Sequence, residues 1–139
     1  MSNLSLKAQK EILKNAGRMY GTLCSVEDNR YTRGGEYWKV TTLIAAAKKQ
    51  GCVKFKYDLC DMDFSWSWSH FGTRIIDVAY DAKRAEQADL KYPIIFSPVG
   101  GLLDGTHRII KALMENRTWI YACKLKDMPD ADGTEEKED

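Results

Sequence analysis

Two rhythms of apolar and polar positions run along this chain, one helical and one extended. From Ser5 to Arg18 the apolar residues Leu6, Ile12, Leu13 and Ala16 recur between Lys and Glu. That spacing predicts an amphipathic helix capped by Ser5 and ending near Gly17. Cys24 to Glu36 reads as a loop, with Arg30, Arg33, Gly34 and Gly35 as its flexible basic part. Tyr37 to Val40 predicts a short strand, and Thr41 an N-cap for a helix through Leu43, Ile44 and Ala47 that stops at Gly51. Cys52 to Leu59 then alternates, with Val53, Phe55 and Tyr57 on one face and Lys54, Lys56 and Asp58 on the other, the pattern of a half-buried strand. Arg74 to Ala88 predicts a helix with Ile75, Ile76, Ala79, Ala82 and Ala85 inward, and Asp77, Asp81, Lys83, Arg84 and Glu86 mostly outward. Pro93 opens a strand, Ile94 to Ser97. The turn Pro98-Val99-Gly100-Gly101 and the pair Leu102-Leu103 complete a tight hairpin. Thr106 to Asn116 predicts a helix with Ile109, Ile110, Leu113 and Met114 inward, and Thr118 to Leu125 a final strand.

This order of elements predicts one α+β domain with a small mixed sheet flanked by helices. Residues 52–126 form its body, 1–51 a helical extension packed on it, and 127–139 a tail. A length of 139 residues suits one domain with a modest core. No apolar run approaches the roughly 20 residues of a bilayer span, and Met1 to Lys7 lacks the apolar block of a secretory signal. A cytoplasmic protein with no membrane partner is expected, and its four cysteines, none in a Cys-x-x-Cys pair, are expected to be reduced thiols without a metal. Cys52 and Cys123 read as small core residues.

Charge changes the picture more. The net charge is only +1, but Asp127 to Asp139 holds seven acids against Lys137 alone. The remainder carries 20 basic and 13 acidic residues, a surplus of about +7. A basic body suits a phosphate-bearing ligand or a nucleic acid. The acidic tail, poor in apolar residues, is expected to be disordered.

The candidate chemistry lies in Asp104-Gly105-Thr106-His107-Arg108. Asp104 ends an apolar strand and Gly105 opens a helix, whose first amides lack partners and point into the space above the loop. Gly105 lets a ligand approach the backbone, Thr106 adds a hydroxyl, and Arg108 offers a planar fork that matches phosphate oxygens. His107 is read either as a ligand contact that moves a proton or as a capping and packing residue. Asp104 is read either as a helix cap or as a holder of a divalent cation.

The run from Tyr92 to Leu113, through Pro93-Ile94-Ile95-Phe96 and the Asp104 to Arg108 loop, resembles the core of the ParB/sulfiredoxin superfamily. There a Pro-Ile strand, a hairpin and an Asp-Gly-x-x-Arg loop precede a helix. Val53 to Phe64 resembles that superfamily's first strand, and Arg74 to Asp89 the helix leading into the Pro-Ile strand. The resemblance implies nucleotide binding, ATP or CTP with Mg²⁺, through Gly105, Thr106, His107 and Arg108. In an enzyme of this kind the reaction is phosphoryl transfer or hydrolysis, with Asp104, His107 and Arg108 at the phosphates and Asp61 or Asp63 as further acids. Thr106 stands where sulfiredoxins carry their reactive cysteine, which argues against sulfinic-acid repair. The kinase-like Asp-Gly-His-His-Arg loop is the nearest match.

A second reading makes the chain a non-catalytic module that binds DNA, RNA or a protein partner. Trp66 and Trp68, one serine apart, would face the same way in an extended segment and stack a base, with Arg30 and Arg33 adding charge. His70 completes that cluster. Capping of the core is the alternative for both tryptophans. Oligomeric state is left open.

Overall fold

The structure, a computed structural model, describes residues 5–7, 30–64 and 75–135. The expected helix at Ser5 to Arg18 therefore lies mostly outside the described residues. Within them the fold is α+β, with three helices and two small sheets.

The first sheet begins where a loop was expected. Strands β1 (Arg30–Arg33) and β2 (Glu36–Lys39) pair antiparallel across Gly34 and Gly35. Both glycines have positive φ, 63° and 82°, which is the backbone of a two-residue hairpin turn. Helix α1 (Val40–Lys49) follows directly, and Thr41 lies inside it rather than capping it. The cap comes from far along the chain. Asp132 Oδ2 accepts the Lys39 amide at 2.7 Å, and its Oδ1 accepts the Thr42 hydroxyl at 3.0 Å. Gly51, at φ 64°, ends the helix as expected, with Cys52 N donating to Ala47 O and Gly51 N to Lys48 O.

The second sheet is mixed. It contains β3 (Phe55–Asp58), β4 (Ile94–Phe96), β5 (Leu102–Asp104) and β6 (Trp119–Lys124) in the order β3-β6-β4-β5. Only β4 and β6 run parallel. Between these two the chain makes the β4–β5 hairpin and helix α3 (Thr106–Met114). Helix α2 (Ile75–Gln87) packs on α3.

The central strands are buried on both faces, as their unbroken apolar run suggests. On one face Ile95, Leu103, Cys123 and Leu125 pack with Trp38, Leu43 and Ala46. On the other, Ile94, Phe96, Ile120 and Ala122 pack with Ile109, Ala112 and Leu59. Complete burial of Leu43 or Ile94 contributes about 1.5–3 kcal/mol each. The first of these clusters crosses residue 51, so residues 30–51 supply part of the core. They are a hairpin and a helix rather than a purely helical extension.

Four further expectations need correction. The tail was expected to be disordered from Asp127, yet residues 127–135 are anchored. β7 (Gly133–Thr134) adds to β2, Trp38 Nε1 donates to Pro129 O at 2.8 Å, and Met128 and Ala131 pack on the core. Gln50 holds the entry to this segment: its Oε1 accepts Lys126 N and Asp127 N, and its Nε2 donates to Asp127 O. Composition hid these specific contacts. Helix α2 is rotated from its expected orientation. Ile75 is 88% exposed and Ala79 and Ala82 are exposed, whereas Ala85, Ala88 and Arg84 are buried. Likewise Leu113 and Met114 of α3 are exposed, with Ile109 and Ala112 facing inward. The strand expected from Cys52 begins only at Phe55: Val53 lies ahead of β3 and is exposed, Phe55 is exposed too, and only Tyr57 of that face is partly buried, β3 being an edge strand.

Candidate functional site

The 104–108 loop joins β5 to α3, against the start of β4. Gly105 is the N-cap of α3 with φ 121° and is buried. A Cβ there would stand 2.3 Å from Ile94 Cγ2, so the backbone lies directly on the Ile94 side chain. Glycine is thus required by packing and conformation together, whatever binds above it. Helix α3 has no side-chain cap and no acid in its first turn. Its first amides lack intrahelical partners by construction, and the first backbone bond runs from Ile109 N to Gly105 O. Asp104 does not cap the helix; its Oδ2 accepts from Arg108 Nη2 at 2.7 Å, with both side chains largely buried. The Arg108 Nε is also buried and has no hydrogen-bond partner. Thr106, partly exposed, opens the helix.

Helix α2 supplies the rest. Asp81 and Arg84, three residues apart, share the face that meets α3. His107 Nε2 lies 3.2 Å from Asp81 Oδ1, and only 15% and 13% of the two side chains is exposed. Burial lowers the His107 pKa to about 4, helped by the Arg84 and Arg108 cations and opposed by Asp104. The imidazole is therefore neutral near pH 7, and in the tautomer that carries hydrogen on Nε2 it donates to the Asp81 carboxylate. The result is a half-buried set of two arginines, two carboxylates and a neutral histidine at a helix N-terminus.

Asp81 and Arg84 were read from sequence as solvated surface. The available signal was their i, i+3 spacing beside two small residues, Ala85 and Ala88, which allow a close helix approach. The other sequence candidates are placed elsewhere. Asp61 is exposed on the 3₁₀ turn Leu59–Asp61 and Asp63 is exposed just beyond; burial first, then Asp61 and Asp58, raises the Tyr57 pKa. Arg30 and Arg33 belong to β1, in the other sheet, with the Arg30 guanidinium 4.3 Å from the Tyr37 ring centre. Trp66, Trp68 and His70 lie outside the described residues. Among the described residues no group of three or more His, Cys, Asp or Glu side chains is placed to hold a metal ion. Cys52, Cys60 and Cys123 are free thiols. Burial, more than any neighbour, raises the Cys123 pKa, so that thiol is poorly reactive. Among the described residues no helix is long and apolar enough to cross a membrane.

Chemically, the loop can accept an anion. An incoming phosphate would meet first-turn amides that have no intrahelical acceptor and an arginine with donor capacity left over, since one fork nitrogen serves Asp104 and Nε serves nothing. The neutral His107 adds a group able to donate or to take up a proton. No protein-family model, curated protein or solved structure matches this chain.

Proposed function

We propose that the protein binds the phosphates of a nucleoside triphosphate at the 104–108 loop. The observation that carries this reading is the buried Arg108 Nε without a partner, at the first turn of a helix whose N-terminus has no side-chain cap. Buried polar groups are seldom left unsatisfied, and an arginine so placed suits an anion. The ligand's negative charge would draw Arg108 away from Asp104, or share it, and would lie along the α3 dipole. The same residues carry the resemblance to the ParB/sulfiredoxin superfamily, which supports ATP or CTP as the ligand class.

Magnesium would arrive with the phosphates and take at most a carboxylate or two from the protein. Asp104 is the protein acid nearest to hand in this reading, because it already stands at the loop. Asp61 and Asp63 keep a place only as outer candidates. If the site turns over, the reaction is phosphoryl transfer or hydrolysis, in which the protein positions charge more than it reacts. Such a ligand belongs to the cytoplasm.

Melting curves with Mg-ATP and Mg-CTP test this directly. A ligand at about 100 times its Kd stabilises the native state by roughly 2.7 kcal/mol and raises Tm accordingly. The double variant Asp104→Asn with Arg108→Met removes both members of the pair, so no buried charge is stranded, and should abolish the rise. Equal shifts in both proteins would remove the loop from the reading. Phosphate release, measured on the same two proteins, then separates an enzyme from a binding module.

A further inference from the structure

At the β3–β6 end of the mixed sheet three aromatic rings each carry an exposed lysine. The Lys54 ammonium lies 4.2 Å from the Tyr121 ring centre, Lys56 lies 4.6 Å from Trp119, and Lys91 lies 5.2 Å from Tyr92. Lys56 and Tyr121 are directly paired across the two strands, and Trp119 meets Tyr121 edge to face at 4.9 Å. Lys54 Nζ also reaches Lys91 O at 3.3 Å, which ties the three pairs into one patch. A groove of about 650 Å³ runs beside it, lined among others by Lys91, Lys111, Arg117, Trp119 and Tyr121.

We propose that this patch is a binding platform for a single strand of nucleic acid. The argument rests on what each component is. Tyr92 is 55% exposed, and Trp119 and Tyr121 are half-buried, so each ring is fixed by the fold yet reachable. An exposed cation–π contact is worth only about 0.5–1 kcal/mol, whereas stacking a base on an aromatic ring contributes roughly 1–3 kcal/mol. A base can therefore displace the lysine from the ring. The displaced ammonium, on its flexible stem, is then beside the base's own phosphate. Aromatic faces alone would suit many apolar partners; aromatic faces each guarded by a mobile cation suit a polymer that alternates flat rings with anions.

Charge on the patch agrees. Lys54, Lys56, Lys91, Lys111 and Arg117 face three acids, Asp58, Asp89 and Glu115, two of which are engaged with Lys91 and Arg117. Duplexes stack their bases inside, so they offer these rings nothing and should bind weakly. This surface is separate from the 104–108 loop in residue content and needs no assumption about it.

Fluorescence anisotropy with a labelled oligothymidylate of roughly 12 nucleotides, at low salt, is the test. The wild type should bind it, and bind the matching duplex more weakly. Lys54→Gln with Lys56→Gln should weaken binding and flatten the salt dependence by about 1.4 in log–log slope, the share of two phosphate contacts. Trp119→Leu should weaken binding by roughly tenfold with the salt slope unchanged, and circular dichroism would confirm that both variants fold. The Asp104→Asn, Arg108→Met protein should bind the oligonucleotide like the wild type. Three results would each overturn the proposal: no binding at low salt, patch variants that bind normally, or binding lost only in the loop variant.

Discussion

His107 lends itself to a quantitative test, because opposing forces act on it. Burial and the Arg84 and Arg108 cations favour the neutral ring, whereas Asp104, and Asp81 at 3.2 Å from Nε2, favour the protonated one. The balance puts its pKa at about 4 in the native state, against about 6.5 in the unfolded chain. Above about pH 6.5 both states hold a neutral ring and stability does not depend on this group. As pH falls below that, the unfolded chain takes up a proton that the folded protein refuses, so unfolding becomes easier. The loss is roughly 2 kcal/mol by about pH 5, reaching about 3 kcal/mol below pH 4, where both states are protonated. The perturbation is His107→Gln, which keeps a donor for Asp81 and removes the titration. Urea unfolding of both proteins at several pH values isolates the effect, since other acids titrate alike in each. The stability difference, wild type minus variant, should shrink by that amount on going from about pH 8 to about pH 5. If instead the wild type gains on the variant as pH falls, Asp81 rules the ring, the native pKa is raised, and the reasoning fails. A proton NMR titration of the ring, one of only two histidines in the chain, checks the same point independently.

The remaining predictions concern the frame around the site. Gly105→Ala should destabilise by at least 2–3 kcal/mol, because the added Cβ meets Ile94 and the backbone is at φ 121°; an unchanged urea midpoint would contradict this. Deleting residues 127–139 should lower stability by about 1–3 kcal/mol from the stranded Trp38 Nε1 alone, visible as a lower midpoint, whereas a merely solubilising tail would leave it unchanged. Asp132→Asn should lower Tm at neutral pH. The Lys39 amide, then the Thr42 hydroxyl, hold the Asp132 pKa below its ordinary value, so its contribution is present at neutral pH and lost as pH falls through the depressed value. Wild type and variant should therefore converge in acid, and parallel pH curves would refute the cap.

Much of the second sheet could be read from sequence, since Ile94-Ile95-Phe96, the turn at Gly100 and the helix opening at Gly105 each have a local physical signature. The same holds for the Gly51 stop of α1. What escaped was decided at a distance. Which face of α2 turns inward depends on α3: Ile75 and Ala79 satisfy a helical period as well as Arg84 and Ala88 do, and packing against α3, with the Asp81–His107 contact, selects between them. The cap of α1 is Asp132, which no window around Thr41 contains. Gly34-Gly35 between Tyr31-Thr32 and Tyr37-Trp38 did carry a hairpin signal, which the surrounding charge obscured. At the candidate site, Asp104, His107 and Arg108 were visible as a loop, but their pairing with one another and with α2 was not.

The strand that β7 adds to β2 also bears on how the chain matures during translation. Asp132 and the Lys39 amide it caps are separated by 93 residues. At roughly 5–20 residues per second, a ribosome spends about 5 to 20 seconds between making the one and the other. Throughout that interval β2 has an open edge, the Lys39 amide and Thr42 hydroxyl at the start of α1 lack the Asp132 carboxylate, and Trp38 lacks Pro129 as acceptor for its indole hydrogen. The later-made segment at residues 127–135 thus acts as a latch on the earlier-made hairpin and α1. A nascent chain halted before Asp127 would present an unpaired strand edge beside an aromatic surface, the features that chaperones recognise and that other unfinished chains can join.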